Sequence, residues 1–167
     1  MIVVADTSAL NYLVLIKRID LLQKLYGQIF IPETVLLELS DAGAPPPARA
    51  WAENLPSWIE PRTITNQDSS ISSLGRGEQD GIALAQAIDA ELILLDDKAA
   101  RKAAKRRNIA VTGTLGVLER ASNLGLIDQT DLKDAIDELR QTNFRATEHL
   151  ISEIFDAGSS KPESGPR

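Results

Sequence analysis

The chain has 167 residues, no cysteine and a formal net charge of −6. This length suits one domain, and the lack of cysteine excludes disulfides, thiolate nucleophiles, zinc fingers and iron–sulfur clusters. The single histidine, His149, argues against a histidine-dependent catalytic triad and a histidine-rich zinc site. Any metal must therefore be held by oxygen atoms, which favours hard cations such as Mg²⁺, Mn²⁺ or Ca²⁺.

The start of the chain and its apolar runs bear on location. Residues 1–6 carry no basic segment ahead of an apolar stretch, so no signal peptide is expected. No apolar run approaches the roughly 18 residues that a membrane span needs. We therefore expect a cytoplasmic protein with no membrane partner.

Short apolar runs alternate with helical patterns along the chain. The predicted strands, in chain order, are 2–5, 28–31, 58–64, 92–95 and 109–111. Runs that are apolar on both faces are typical of strands buried between two layers of helices in a parallel sheet. The pattern predicts an α/β fold.

Helical patterns fill most of the segments between these strands. The predicted helices are two in series within 8–26, then 32–39, 47–55, 78–90, 98–107, 114–124, 130–140 and 146–155. Pro32 is placed in a first helical turn, Gly125 at a helix end and Thr130 at a helix N-cap. The Ser- and Gly-rich stretch 68–77 is a predicted loop, and the tail 158–167 is expected to be disordered.

Acidic residues follow two of the predicted strands directly. Asp6 comes after the first strand, and Asp96 and Asp97 come after the fourth. In an open parallel sheet, ligands bind at the carboxyl ends of the strands. Two strand ends therefore bring carboxylates to the same edge of the sheet.

Two further acids are candidates for the same site. Glu38 lies late in the helix 32–39, and Glu78 opens a helix just after Gly75 and Gly77. Several carboxylates placed together repel one another unless a cation neutralises them. With Mg²⁺ between them they form a site for phosphoryl chemistry, in which the metal activates water and stabilises the transition state.

Each of these acids also has a purely structural interpretation. Asp6 can cap the helix that follows it, and either Asp96 or Asp97 can cap the next helix. Glu78 and Asp80 both lie where a helix dipole favours negative charge. The spacing alone leaves these alternatives open.

The helix 98–107 is strongly basic although the chain as a whole is acidic. Its basic residues are Lys98, Arg101, Lys102, Lys105, Arg106 and Arg107. They form either a solvated face or a set of phosphate contacts beside the acids, and Arg76 has the same two interpretations. No aromatic platform accompanies them, so base stacking is not indicated. His149 is interpreted as a surface or packing residue.

Four segments carry a resemblance to a known family, in the family's order. They are VVADTSAL at 3–10, IPETVLLEL at 31–39, LGRGEQDGIALA at 74–85 and the strand, acid pair and Gly-Thr-Leu-Gly segment within 92–127. Over residues 2–127 the chain resembles PIN domains, and the last segment resembles one bacterial and archaeal PIN subgroup. The resemblance implies a three-layer α/β/α fold with a five-stranded parallel sheet.

The resemblance also implies an activity and partners. The activity is Mg²⁺- or Mn²⁺-dependent cleavage of RNA, and many such proteins are toxins of type II toxin–antitoxin pairs, similar to the VapC group. These toxins are typically homodimers that a small antitoxin protein inhibits.

The implied site residues fall into three groups. The implied metal ligands are Asp6, Glu38, Glu78, Asp96 and Asp97, and all of these except Asp96 are also implied as catalytic. Thr7 or Ser8 would orient Asp6 or a metal-bound water, with Asp80 and Thr114 as further supporting residues. Arg76, Lys98 and Arg101 would contact RNA phosphates. Asp80 in place of Glu78, and the choice between Asp96 and Asp97, remain open.

The chain extends beyond the segment that resembles PIN domains. We expect a catalytic domain at 1–127, a helical extension at 128–157 that packs on it, and the tail at 158–167. The extension could dock an antitoxin, enlarge a dimer interface or do neither.

Three other classes compete with this interpretation. Response-regulator receivers need an acidic pair near the first strand, where Asp6 stands alone, and haloacid-dehalogenase phosphatases need a second Asp at position 8, which is Ser. The third alternative is a catalytically weak or inactive PIN-like module that binds protein or nucleic acid.

Overall fold

The computed structural model describes residues 1–145 and 148–159. Its five strands form one sheet in the spatial order β3-β2-β1-β4-β5, and all neighbouring strands are parallel. The strands are β1 (Val3–Ala5), β2 (Ile29–Pro32), β3 (Ile59–Arg62), β4 (Leu92–Leu94) and β5 (Ala110–Thr112). The predicted α/β fold with a five-stranded parallel sheet is confirmed.

Helices connect and cover the strands. They are α1 (Thr7–Leu15), α2 (Leu21–Tyr26), α3 (Glu33–Ser40), α4 (Pro46–Glu53), α5 (Arg76–Ala87), α6 (Lys98–Arg106), α7 (Thr114–Asn123), α8 (Gln129–Arg140) and α9 (Glu148–Ser159). A short 3₁₀ turn at Ser69–Ile71 lies inside the predicted loop 68–77. Gly125 has φ of +74° just after α7, a backbone conformation that glycine adopts without strain.

The strands are buried on both faces, which explains their continuous apolar sequence. In β1, Val3 and Ala5 pack into one core, while Val4 packs into a second core on the other face of the sheet. The larger core involves α1–α4 and α7–α9, and the smaller one involves α5 and α6. The fold therefore has three layers, α/β/α.

The helical extension belongs to the larger core. Leu132, Ile136 and Leu139 of α8 are each 1% exposed, and Ile151 and Ile154 of α9 are 5% exposed. Apolar side chains recur at these positions because they lie on one face of each helix. The extension thus packs on the main body of the domain.

Three local predictions were wrong. Asp128, not Thr130, caps α8, because its Oδ1 accepts a hydrogen bond of 2.7 Å from the Asp131 amide. Pro32 ends β2 with an extended backbone and precedes α3 instead of lying in its first turn. Gly158, placed in the tail, lies within α9, whereas residues 160–167 of that predicted tail are outside the described residues.

Candidate metal centre

The order in which strands are added to the sheet reverses between β1 and β4. From β1 the chain moves outward through β2 to β3, and then crosses back so that β4 lies on the other side of β1. Such a switch point leaves a crevice at the carboxyl ends of the two strands. Asp6 follows β1 there, and its amide donates to the Leu94 carbonyl of β4 at 3.2 Å.

Asp6 is 1% exposed, and only one of its two carboxylate oxygens is hydrogen-bonded within the described residues. Its Oδ1 caps α1 by accepting from the Ala9 amide at 3.1 Å. Its Oδ2 is buried without a hydrogen-bond partner. The cap interpretation is thus correct for one oxygen, and the other oxygen is left available for a ligand.

The surroundings of Asp6 disfavour the charged form of its carboxyl group. Burial raises the pKa of Asp6 well above its ordinary value, the Ala9 hydrogen bond opposes this, and the charges of Asp96, Glu78 and Glu38 raise it further. These three side chains therefore lie within electrostatic reach of Asp6. The structure brings together acids from β1, α3, α5 and the end of β4.

Glu38 is held on both of its oxygens. Its Oε2 accepts from the Thr7 hydroxyl, and its Oε1 accepts from the Gly77 amide at 3.0 Å. A Cβ atom at Gly77 would lie 2.6 Å from Glu38 Oε2, closer than real contacts allow. Thr7 therefore supports Glu38, whereas the expectation was that Thr7 or Ser8 would orient Asp6 or a metal-bound water. Ser8 lines an adjoining cavity.

Glu78 and Asp80 occupy different environments although both lie on α5. Glu78 accepts from the Gly75 amide at 3.1 Å; burial raises its pKa, and the charges of Asp97 and Glu38 add to the shift. Asp80 instead accepts from the Thr34 hydroxyl and lies 3.4 Å from Arg76 Nε. Glu78 thus lies near the other acids, whereas Asp80 is bound by Thr34 and Arg76.

Asp96 and Asp97 have separate roles in the fold. Asp96 accepts from the Thr114 amide at 2.8 Å and from the Thr114 hydroxyl at 2.7 Å, so the buried Thr114 orients its carboxylate. Burial raises the pKa of Asp96, and Thr114 and Arg101 oppose the shift. Asp97 is exposed and caps α6 through a 2.9 Å bond from the Ala100 amide. Asp6, Glu38, Glu78, Asp96 and Asp97 are called the acid cluster below.

The acid cluster is open and is not a closed cage of carboxylates. Within residues 1–145 and 148–159, no three acidic or histidine side chains lie close enough to surround a metal ion together. A donor set of this kind suits Mg²⁺, which is commonly bound by one or two carboxylates and keeps several waters. The unpartnered Asp6 oxygen fits a direct ligand, and the acids around it fit hydrogen bonds to bound water.

The predicted phosphate-contacting residues lie around the acid cluster. Lys98 is exposed at the start of α6. Arg101 Nη1 donates to the Leu95 carbonyl at 2.9 Å, which anchors its guanidinium beside Asp96. Arg76 is largely exposed apart from its contact with Asp80. Arg107, by contrast, pairs with Asp68 at 2.7 Å and stabilises a loop.

Sequence reasoning missed an aromatic pair at the rim of the acid cluster. Burial raises the pKa of Tyr12, and the charges of Asp96 and Asp6 raise it further, so its phenol lies near these acids. Phe144 meets the Tyr12 ring edge-on, with centroids 5.0 Å apart, and Asn143 accepts from the Tyr12 hydroxyl at 3.0 Å. Phe144 lies 132 residues after Tyr12 in the chain, so no local pattern reveals the pair.

Fold and site together define a class: a three-layer α/β/α protein with carboxylates gathered at the switch point of a parallel sheet. The chain belongs to the PIN-domain family, whose model matches residues 2–159. PIN domains are generally nucleases and typically use divalent metals. The matched range includes both α8 and α9.

A solved structure supports the same fold. It is a PilT N-terminus domain protein from the hyperthermophilic archaeon Sulfolobus solfataricus, with 12% identity and a TM-score of 0.50. The likeness covers 88% of this chain and 100% of the other. A search of curated proteins found no significant match. In the described part of the chain, no helix is long and apolar enough to cross a membrane.

Proposed function

We propose that this protein is a divalent-metal-dependent endoribonuclease, acting in the cytoplasm, whose site is the acid cluster. The observation that carries the proposal is the buried Oδ2 of Asp6, which has no hydrogen-bond partner among the described residues and lies near the charges of Glu38, Glu78 and Asp96. A buried polar atom that lacks a partner is uncommon in folded proteins because it has lost its hydration. A cation bound there removes that cost.

Mg²⁺ or Mn²⁺ is the proposed cofactor because all the donors are carboxylate oxygens. Asp6 would contact the ion, with Glu38, Glu78, Asp96 and Asp97 holding it directly or through water. A bound divalent ion supplies an activated water and neutralises charge that develops on a phosphate. Thr7 and Thr114 keep the Glu38 and Asp96 carboxylates in place.

RNA is the proposed substrate. Around the acid cluster, Lys98, Arg101 and Arg76 supply positive charge on a chain whose net charge is −6. Local cations of this kind bind the phosphate backbone and position it, without reading its sequence. The resemblance of residues 2–127 to PIN domains, many of which are ribonuclease toxins, supports RNA as the polymer.

The test compares cleavage of labelled single-stranded RNA by the wild type and by Asp6→Asn, with Mn²⁺ or with EDTA. We expect cleavage by the wild type only with the metal. We also expect a fall of at least about tenfold in Asp6→Asn, because loss of even the groups that support a metal ligand typically costs 10- to 100-fold. Asp128→Asn is the matched control, because Asp128 is also a helix N-cap, that of α8, and does not belong to the acid cluster. Equal background cleavage by all three proteins would contradict the proposal and favour a non-catalytic binding module.

The second part of the proposal is that the protein is a toxin. The resemblance to the VapC group supports it and implies a homodimer inhibited by a small antitoxin. Expression of the wild type should then arrest bacterial growth, and Asp6→Asn should not. Co-expression of a small protein from the neighbouring reading frame should restore growth and co-purify with the chain. Arrest by both proteins would contradict a toxin activity that depends on the acid cluster.

A further inference from the structure

A cavity of about 580 Å³ adjoins the acid cluster on the side of Asp96. Residues from four places in the chain line it: the start of α6, the start of α7, the segment after α8, and α9. Its volume lies within the roughly 300–1,000 Å³ of typical small-molecule sites. The cavity therefore has room for a ligand next to the candidate metal centre.

The lining combines three kinds of chemistry. Lys98, Arg101 and the exposed Arg145 are its cations, and Leu115, Phe144, Leu150 and Ile154 are its apolar side chains. Glu119 and Glu153 join Asp96 as its acids. Phosphate alone would not contact the apolar side chains, and a purely apolar ligand would leave the cations without a partner group. The lining therefore fits a ligand that has both an anionic and an apolar part.

Arg101 is fixed in position with hydrogen-bonding capacity to spare. Its Nη1 donates to the Leu95 carbonyl at 2.9 Å, and a Cβ atom at Gly113 would lie 2.8 Å from the same nitrogen. The guanidinium carries five N–H donors in all. The glycine leaves space for this arginine beside Asp96, so a cation is placed at the junction of the cavity and the acid cluster.

Phe144 is fixed relative to the acid cluster as well. Its ring meets Tyr12 edge-on at 86°, and Tyr12 lies on α1, the helix that Asp6 caps. The contact of this half-buried ring with α1 holds it at the cavity wall. An aromatic face beside a cationic phosphate site is the arrangement by which proteins bind single-stranded nucleic acids.

We infer that this cavity binds one nucleotide of single-stranded RNA, next to the phosphate that lies at the acid cluster. The base stacks on Phe144, and the nucleotide's phosphate contacts Lys98 and Arg101. This inference rests on the proposed function and extends it, because it makes Phe144, which follows α8, part of the substrate site. The helical extension thereby contributes to RNA binding.

The test measures binding without cleavage. A fluorescein-labelled single-stranded oligoribonucleotide is titrated in EDTA and followed by fluorescence anisotropy. Phe144→Leu keeps an apolar side chain but removes the aromatic face, and we expect about tenfold weaker binding, within the range for a lost base stack. Phe144→Ala should weaken binding at least as much, and circular dichroism checks that each variant is folded.

Salt dependence separates the two kinds of contact. Lys98→Ala should weaken binding and lower the slope of log affinity against log salt by roughly 0.7, the value for one phosphate contact on a single strand. Phe144→Leu should leave that slope unchanged. Lys105→Ala is the matched control, since Lys105 is exposed on the same helix but does not line the cavity.

The outcomes distinguish this inference from the proposed function. Wild-type affinity in folded Phe144→Leu and Lys98→Ala overturns the nucleotide site, even if Asp6→Asn abolishes cleavage. Equal losses in Lys105→Ala and Lys98→Ala also overturn it, because they indicate binding to the whole basic helix. Weaker binding by the cavity variants alone supports the site, even if none of the proteins cleaves RNA.

Discussion

At the scale of single residues, Asp6 caps a helix and is also almost completely buried. A solvated cap residue keeps its charge without cost. Asp6 keeps one oxygen for the Ala9 amide and buries the other near three further acids. The metal-free protein therefore disfavours the charged form of Asp6 at its own candidate site.

The first prediction follows from the raised pKa of Asp6. The folded protein holds a proton on Asp6 over a pH range in which the unfolded chain has released it. The free energy of unfolding of the wild type therefore falls as pH rises from about 4, the unfolded pKa, toward the folded pKa, by roughly 1.4 kcal/mol for each pH unit in that range. Asp6→Asn removes this loss and keeps a good N-cap, so it should be more stable than the wild type at pH 7.

Urea denaturation in EDTA at pH 4 and pH 7 checks this prediction. The stability difference between Asp6→Asn and the wild type should be small at pH 4 and should increase by pH 7. Adding Mn²⁺ should then stabilise the wild type more than the variant, since a ligand stabilises the state that binds it. A pH-independent difference would contradict the account of Asp6 as a costly buried charge.

A second prediction concerns Asp68, a partly exposed carboxyl outside the acid cluster. Hydrogen bonds from Ser70 and from Arg107 lower its pKa to about 2. Any stability from this contact is present above the unfolded pKa of about 3.9 and is lost as pH falls through the folded value. Arg107→Gln should raise the pKa of Asp68, measured by NMR titration, without changing cleavage. An unchanged pKa would contradict the ion pair.

At the scale of elements, α5 shows how one helix serves both the core and the acid cluster. Gly77 lies against the Glu38 carboxylate, and Gly81, one turn later, faces Ile93 of β4. A Cβ atom would clash with Glu38 Oε2 at 2.6 Å in the first case, but would make an ordinary contact of 3.6 Å with Ile93 in the second. The two glycines therefore form a matched pair for mutation.

The third prediction uses that pair. Gly81→Ala should leave activity unchanged and leave stability equal or raise it by up to about 1 kcal/mol, because alanine favours a helix. Gly77→Ala should displace Glu38 and weaken Mn²⁺ binding about 10- to 100-fold, as loss of a ligand's supporting contacts typically does. Calorimetric Mn²⁺ titration measures this. Equal metal affinity in the two variants would show that Glu38 does not help to hold the ion.

The boundaries of the elements show which parts of the fold local sequence signals can predict. The apolar runs predicted all five strands because a strand buried on both faces needs apolar side chains at successive positions. Asp128 and Thr130 are both good caps, and the sequence does not say which one the chain uses. Tertiary packing decides it, because Leu132, Ile136 and Leu139 must face the core and so set where α8 begins.

At the scale of the whole molecule, the helical extension shares its core with the rest of the domain. Apolar residues of α8 and α9 belong to the same buried cluster as Leu10 and Leu13 of α1. Such continuity favours one cooperative unfolding transition. It also explains how Phe144, which follows α8, reaches the rim of a site that starts at Asp6.

The fourth prediction tests this continuity. Ile136→Ala should lower the free energy of unfolding by about 2–5 kcal/mol, because Ile136 is 1% exposed. The transition should shift equally by circular dichroism and by fluorescence of Trp51 and Trp58, which lie on other parts of the fold. The exposed Asp134→Ala is the control and should change stability by less than about 0.5 kcal/mol. Separate transitions for the two probes would contradict a single core.

The sequence by itself determined the alternation of strands and helices and the positions of Asp6, Asp96 and Asp97 after their strands. Both follow from local chemistry, since burial selects apolar runs and the carboxyl ends of parallel strands share one edge. Only the tertiary structure decided which oxygens are engaged. In the folded chain, Thr7 hydrogen-bonds to Glu38, and Thr34 hydrogen-bonds to Asp80. Asp6 Oδ2 has no partner among the described residues. Phe144 lies beside Tyr12. Those outcomes depend on contacts between residues far apart in the chain, which no local pattern encodes.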